Sequence, residues 1–201
     1  MPDIFKSGFL FPKHVTILGP GPKGVDYWKR IDPTSTVIAI NKAIEIPVTK
    51  EMWMVADWWA IKTSWFEPGY TENSDVFRIF SYGLSQKSGI EADLSFNFVP
   101  RLGQSTYFPD PLRFRPDGTV AGIAIEAVSR FGAKKITLCG IDMSGNSYFD
   151  GNKSSSKTCP HGNVWAYVPY LNSLIQWYQK EGVQIESLSP TKLNLYPKTA
   201  K

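Results

Sequence analysis

Residues 118–142 read GTVAGIAIEAVSRFGAKKITLCGID. The first half predicts a helix over 118–131. Val120, Ile123, Ala124, Ala127, Val128 and Phe131 recur at three- and four-residue spacing and share one face. Asp117 or Thr119 can cap its start and Gly132 can close its end. Lys135–Cys139, KITLC, follows at once as a short apolar run that reads as a buried strand. A helix feeding straight into a buried strand is the alternation of a layered α/β sheet.

The same alternation extends outward. Short apolar runs predict strands at 15–18, 36–40, 52–56 and 76–80, with a weaker one at 96–99 ended by Pro100. Residues 26–31 read as a helical turn stopped by Pro33, and 101–116, rich in Pro, Arg and aromatics, as a long loop. Beyond the central unit, 146–163 is a polar loop. Residues 164–181 form a second helix whose start Pro169 displaces later, and 183–188 a last strand. With no repeat and no linker, the expectation is one α/β domain over 1–201, Rossmann-like, its sheet mostly parallel and flanked by helices. Residues 190–201 are expected to be a flexible tail.

Bulk properties narrow the function classes. A length of 201 residues suffices for a real core. The net charge of +4 suits an anionic ligand, but no Lys/Arg cluster forms a nucleic-acid stripe. Two Cys and two His, scattered, give no zinc spacing. Cys139 reads as a small buried residue. The start, MPDIFKSGFLFPKH, lacks a basic and then apolar leader, and no apolar run approaches the ~20 residues of a membrane span. Free thiols fit a reducing compartment, so a cytoplasmic protein without an integral membrane segment is expected, with self-association left open.

In parallel α/β sheets ligands sit outside the carboxyl ends of the strands. The residues there are Gly19, Pro20 and Gly21 after the first strand, Asn41 after the second, Asp57 after the third, and Gly140, Ile141 and Asp142 after KITLC. GPGPKG (19–24) is either a plain turn or a loop that brings backbone amides to a phosphate. It is neither a GxGxxG opening nor a Walker loop, and Pro20 and Pro22 remove two donors. Asn41 can bond a ribose or a base edge, or satisfy a loop backbone. Asp57 can accept from a ribose, bind a metal, orient a substrate or cap a helix, and Asp142 has the same choice between ligand and turn. Downstream, Ser144, Tyr148 and His161 sit in a polar loop. His161 is a general base or a solvated histidine. Arg113 and Arg115 flank Phe114 and could clamp a phosphate or carboxylate, or be plain surface arginines. His14 reads as structural.

Taken together, VTILGPGP, VIAINKAI, MWMVAD and the stretch from Asp117 to Ser144 resemble the bacterial CMP-sialic-acid-dependent sialyltransferases of glycosyltransferase family 42. They also resemble the wider group of motility accessory factor and 6-hydroxymethylpterin pyrophosphokinase-like proteins. The resemblance runs from about Val15 to about Pro190. It implies that Gly19 and Gly21 face the nucleotide phosphate and that Asn41 and Asp57 contact the nucleotide or the sugar. Gly118 and Thr119 would form an anion site at a helix start, Asp142 would hold the nucleotide, and Ser144 would join it. Tyr148 matches one of two tyrosines that stabilise the leaving phosphate, while Ser144 stands where the other is expected. His161 matches the base but lies a few residues early, with Trp165 nearer the expected position, and Lys23 replaces the usual Ser.

The implied activity is transfer of a sugar, an acidic one from a CMP donor, to a hydroxyl acceptor without a cofactor or metal. Two further readings stay open. One is Mg²⁺-dependent pyrophosphoryl transfer from ATP to a pterin-like alcohol, and the other a non-catalytic nucleotide-binding domain. The partners expected are a nucleotide-sugar donor and a hydroxyl acceptor, and no nucleic acid.

Overall fold

The apolar runs form the strands β1 (His14–Leu18), β2 (Thr36–Ile40), β3 (Met52–Val55), β4 (Phe77–Ser81), β5 (Leu94–Phe96), β6 (Lys135–Cys139) and β7 (Gln184–Ser187). This is a computed structural model, and it describes residues 1–98, 106–115, 119–143, 149–151 and 167–195. The strands make one sheet in the order β5-β4-β3-β2-β1-β6-β7, and every pairing is parallel. The chain lays β2 to β5 outward on one side of β1, then returns to place β6 and β7 on the other. The strand order therefore reverses between β1 and β6, the switch point where open α/β sheets bind ligands.

Four helices accompany the sheet among the described residues: α1 (Phe66–Glu72), α2 (Tyr82–Ser88), α3 (Val120–Arg130) and α4 (Val168–Lys180). α3 and α4 cover one face and bury Val15, Ile17, Ile136, Leu138 and Ile185 with Ile123, Leu171 and Leu174. The opposite face carries α1, α2 and short 3-10 turns over Val37, Ala39, Val55 and Phe80, with Trp53 buried at its centre. Strands buried on both faces are why the runs read as apolar throughout and not as alternating.

α3 matches the periodicity. The Thr119 hydroxyl accepts the Gly122 N–H at 3.0 Å and starts it. Gly132, at φ 119°, lets the chain turn away after Phe131. Asp117, the other candidate cap, lies outside the described residues. Phe131 then meets Phe11 just ahead of β1 (Phe11 N–H to Phe131 O, 2.7 Å), so the start of α3 lies at the carboxyl ends of the strands. α4 begins at Val168 with Pro169 in its first turn, where a missing N–H costs nothing. The expected tail from residue 190 is instead packed as far as Leu195. Leu193 and Leu195 are buried, and the Lys192 N–H donates to the Asp142 carbonyl at 3.1 Å. Among the described residues no helix is long and apolar enough to cross a membrane.

Candidate functional site

At the switch point the loops leaving β1 and β6 lie against each other. The Gly19 N–H donates to the Cys139 carbonyl (2.7 Å) and the Gly21 N–H to the Gly140 carbonyl (2.9 Å), so the strand ladder continues past both strand ends. A Cβ on Gly21 would lie 2.4 Å from the Gly140 oxygen. Gly140, at φ 70°, would put its own Cβ 2.3 Å from the Gly19 oxygen. Only glycine fits that approach. The remaining donors are also taken: Lys23 N–H by Asp142 Oδ2 (3.2 Å), Gly24 by the Gly21 carbonyl and Val25 by that of Pro22. The expectation that amides of this loop cradle a phosphate is corrected. The glycines make room for another backbone, and the amides from Gly19 to Val25 are spent within the protein.

Asp142 sits beside this seam, 5% exposed, with its carboxylate against the position a Gly21 Cβ would take. Asn41 follows β2 on the neighbouring strand. Its φ of 48° is left-handed, rare for a residue with a side chain, and its Oδ1 is buried without a hydrogen-bond partner. Its backbone carbonyl accepts the Trp53 indole N–H at 2.9 Å, which holds the strained turn in place. Met143, next to Asp142, is the other non-glycine residue at positive φ (52°) among the described residues.

Lys42 was not among the sequence candidates. It is 6% exposed, and its Nζ lies 2.5 Å from Asp150 Oδ2 and 3.5 Å from Glu45 Oε2. Burial pulls the ammonium's pKa down, but the Asp150 hydrogen bond and the Glu45 and Asp150 charges outweigh it, and the net shift is upward. Phe149 ties this corner to the first loop. Its N–H donates to the Pro20 carbonyl (2.9 Å) and its ring meets Trp28 edge-on at 5.9 Å. A buried lysine with a partner 108 residues away leaves no local signal in the sequence.

Asp57 lies further along the edge, where the ends of β3, β4 and β5 enclose a cavity of about 310 Å³. Trp58, Ser81, Tyr82, Phe96, Asn97 and Phe98 line it with Asp57. Asp57 is exposed toward solvent, yet protein crowds its carboxyl on the cavity side, and that desolvation raises its pKa above the usual carboxylate value. It flanks the 3-10 turn Trp58–Lys62 without a side-chain capping bond, so the helix-cap alternative does not hold. Trp58 and Trp59 stack beside it, their centroids 3.7 Å apart.

Thr119 stands at the same edge with its hydroxyl committed to the α3 cap. Arg113 and Arg115 are not brought there. Arg115 forks its guanidinium onto Asp110 Oδ2, its N–H donates to Glu126 Oε2 (2.8 Å), and its carbonyl accepts from the Tyr170 hydroxyl (2.5 Å). The Arg113 carbonyl accepts from Arg130, in the last turn of α3 and at the far end of the sheet. These bonds make the pair part of a strap over α3, not an anion clamp on the crevice. Glu126 at the centre is fully buried and also accepts from the Tyr107 hydroxyl at 2.8 Å. His14 is structural, between Asp32 (3.6 Å) and the Thr137 hydroxyl (3.3 Å). Cys139 is buried, and its thiol is pushed up to about 12 by desolvation, so it is an inert core residue. Gly118, Ser144, Tyr148 and His161 lie outside the described residues. Among the described residues no cluster of His, Cys, Asp and Glu is arranged to hold a metal ion.

No protein-family profile matches the chain, and neither does any curated protein sequence. Solved structures do match in fold. The sialyltransferase CstII from Campylobacter jejuni, bound to the substrate analogue CMP-3FNeuAc, aligns over 92% of this chain and 87% of its own, with a TM-score of 0.54 and 18% identity. The same enzyme with a trisaccharide acceptor and CMP aligns with a TM-score of 0.53 at 18% identity, over 92% of this chain and 86% of its own. The Maf glycosyltransferase from Magnetospirillum magneticum aligns over 97% of this chain with a TM-score of 0.60 at 14% identity, but this chain spans only 35% of it.

Proposed function

We propose that the protein is a glycosyltransferase that moves an acidic sugar from a CMP-activated donor to a hydroxyl acceptor. The observation that carries this reading is Asn41. At the switch-point edge, on a fold shared with CMP-bound sialyltransferases, the chain holds a strained residue whose buried carboxamide oxygen has no partner. Strain and an unsatisfied acceptor each cost free energy, and a ligand hydroxyl or amino group bonded there would offset both. Asp142 and the start of α3 border the same crevice. The cavity beside Asp57, with aromatic walls and the polar Ser81, Tyr82 and Asn97, takes the acceptor.

The transfer needs few groups. The bond from the anomeric carbon to the donor phosphate breaks, its electrons pass to the phosphate oxygen, and CMP leaves. The acceptor oxygen bonds to that carbon and gives its proton to a base. The resemblance assigns the base to His161 and support of the leaving phosphate to Tyr148. Among the described residues Asp57 can also take the proton, because its raised pKa makes it a stronger base than an ordinary carboxylate.

A thermal-denaturation screen of CMP, CDP, UDP, ADP and ATP, each with and without Mg²⁺, tests the reading. CMP without metal should raise the melting temperature by roughly 5–10 °C at a hundredfold excess over Kd. Asp142→Ala should remove that response. Stabilisation by ATP only with Mg²⁺ would overturn sugar transfer in favour of pyrophosphoryl transfer, and no response to any nucleotide would leave a non-catalytic domain.

A further inference from the structure

The loop expected to hold a phosphate has no amide left to do so, since the donors from Gly19 to Val25 are consumed by Cys139, Gly140, Asp142, Gly21 and Pro22. An anion entering this crevice must be met by something else. Lys42 is the first residue beyond Asn41. It is buried, its charge is kept by Asp150 and Glu45, and Phe149 fastens the Asp150 side to Pro20 of the glycine loop. The unpartnered Asn41 Oδ1 in the adjoining residue is an independent sign that a ligand completes this corner.

We propose that Lys42 is the anion-binding residue of the crevice, and that Asp150 occupies it in the empty protein as a carboxylate placeholder for the ligand's phosphate. The inference rests on the nucleotide-donor reading for the ligand's identity, but the exchange itself requires only a phosphate. The physics favours exchange over new binding. The ammonium is already desolvated and oriented in the empty protein, so the phosphate inherits a preorganised cation. The terminal phosphate of released CMP or of pyrophosphate carries more charge than the carboxylate it replaces and offers three acceptor oxygens, whereas the donor's phosphodiester carries a single charge on two free oxygens. The Asp150 side chain, 27% exposed, already faces solvent on one side and can turn toward it, while Glu45 stays beside the Lys42 ammonium.

The test is calorimetric titration of inorganic pyrophosphate, CMP and cytidine into the wild type, Lys42→Gln and Asp150→Asn, with melting temperatures as a check on folding. Asp150→Asn should bind pyrophosphate about fivefold tighter than the wild type, because the competing carboxylate is gone, and Lys42→Gln should bind it about tenfold more weakly. Cytidine, without a phosphate, should be indifferent to both substitutions. The Asp150→Asn arm leaves the lysine in place, so the test survives if Lys42→Gln does not fold. Equal pyrophosphate affinity in the wild type and Asp150→Asn, or no pyrophosphate binding to either, overturns the proposal. The two readings fail separately. CMP bound equally by the wild type and Lys42→Gln keeps the nucleotide site and removes Lys42 from it. Pyrophosphate obeying the pattern while CMP and cytidine fail to bind keeps the anion site and removes the nucleotide.

Discussion

Asn41 sets local stability against binding. A glycine there would adopt the left-handed backbone without strain, so Asn41→Gly should leave the fold as stable as the wild type or about 0.5–1 kcal/mol more so, while the response to CMP disappears. Urea denaturation alongside a CMP thermal shift checks both halves, and a destabilised variant would show that Asn41 serves the fold. At this scale the sequence was only partly legible. Asn41 and Asp142 stood out by position after apolar runs, but the glycines of GPGPKG did not disclose their purpose. Glycine signals close approach without saying what approaches, and here it is the carbonyls of the β6 loop. Lys42 was illegible for a different reason: a lysine is read as solvated unless its counter-charges are known to be near.

Elements were legible in proportion to how much of their stability is local. β2 and β6 were read to the residue, because apolar runs bounded by polar residues or glycine mark central strands. α1 and α2 leave no periodic signal in the sequence. Each has seven residues, α1 contains Pro68 and Gly69, α2 contains Gly83, and both stand because they pack on the Trp53 side of the sheet. β5 has three residues and starts two residues before the apolar run at 96–99 suggests, with the bridge from Asp3 to Ser95 flanking it. α3 was read correctly because periodicity and cap agree. Thr119→Ala should cost about 1 kcal/mol in denaturant unfolding through the lost Gly122 bond, with the slope of the transition unchanged. A change of slope would mean that the cap shapes more than the first turn.

Across the whole molecule, the strap at 106–115 joins α3 to α4 through Glu126, Tyr107 and Tyr178. Desolvation pushes the Glu126 carboxyl up to about 7, against the pull of the Tyr107 hydrogen bond and of Arg130. The folded protein thus holds this proton more tightly than the unfolded chain does, and the stabilisation is complete below the ordinary glutamate value and lost as pH rises through about 7. Melting temperature should therefore fall between pH 5 and pH 8, by an amount of order 3 kcal/mol in stability, and Glu126→Gln should flatten that dependence. A pH profile of melting identical in the two proteins would show the carboxyl ionised throughout.

The seam between β1 and β6 also governs the order in which the molecule can be made. β1 is central in the finished sheet, yet its partner on one side lies more than a hundred residues downstream (Leu18 opposite Cys139). During synthesis β1 can pair with β2 early, but its other edge stays open until residue 139 has emerged, and the glycine loop has no carbonyl to meet until Gly140 follows. Closing so long a loop makes β1–β6 pairing a late, slow event. For that interval the nascent chain carries an open strand edge of unpaired backbone N–H and C=O groups flanked by Val15, Ile17 and Leu18, the kind of surface that chaperones cover.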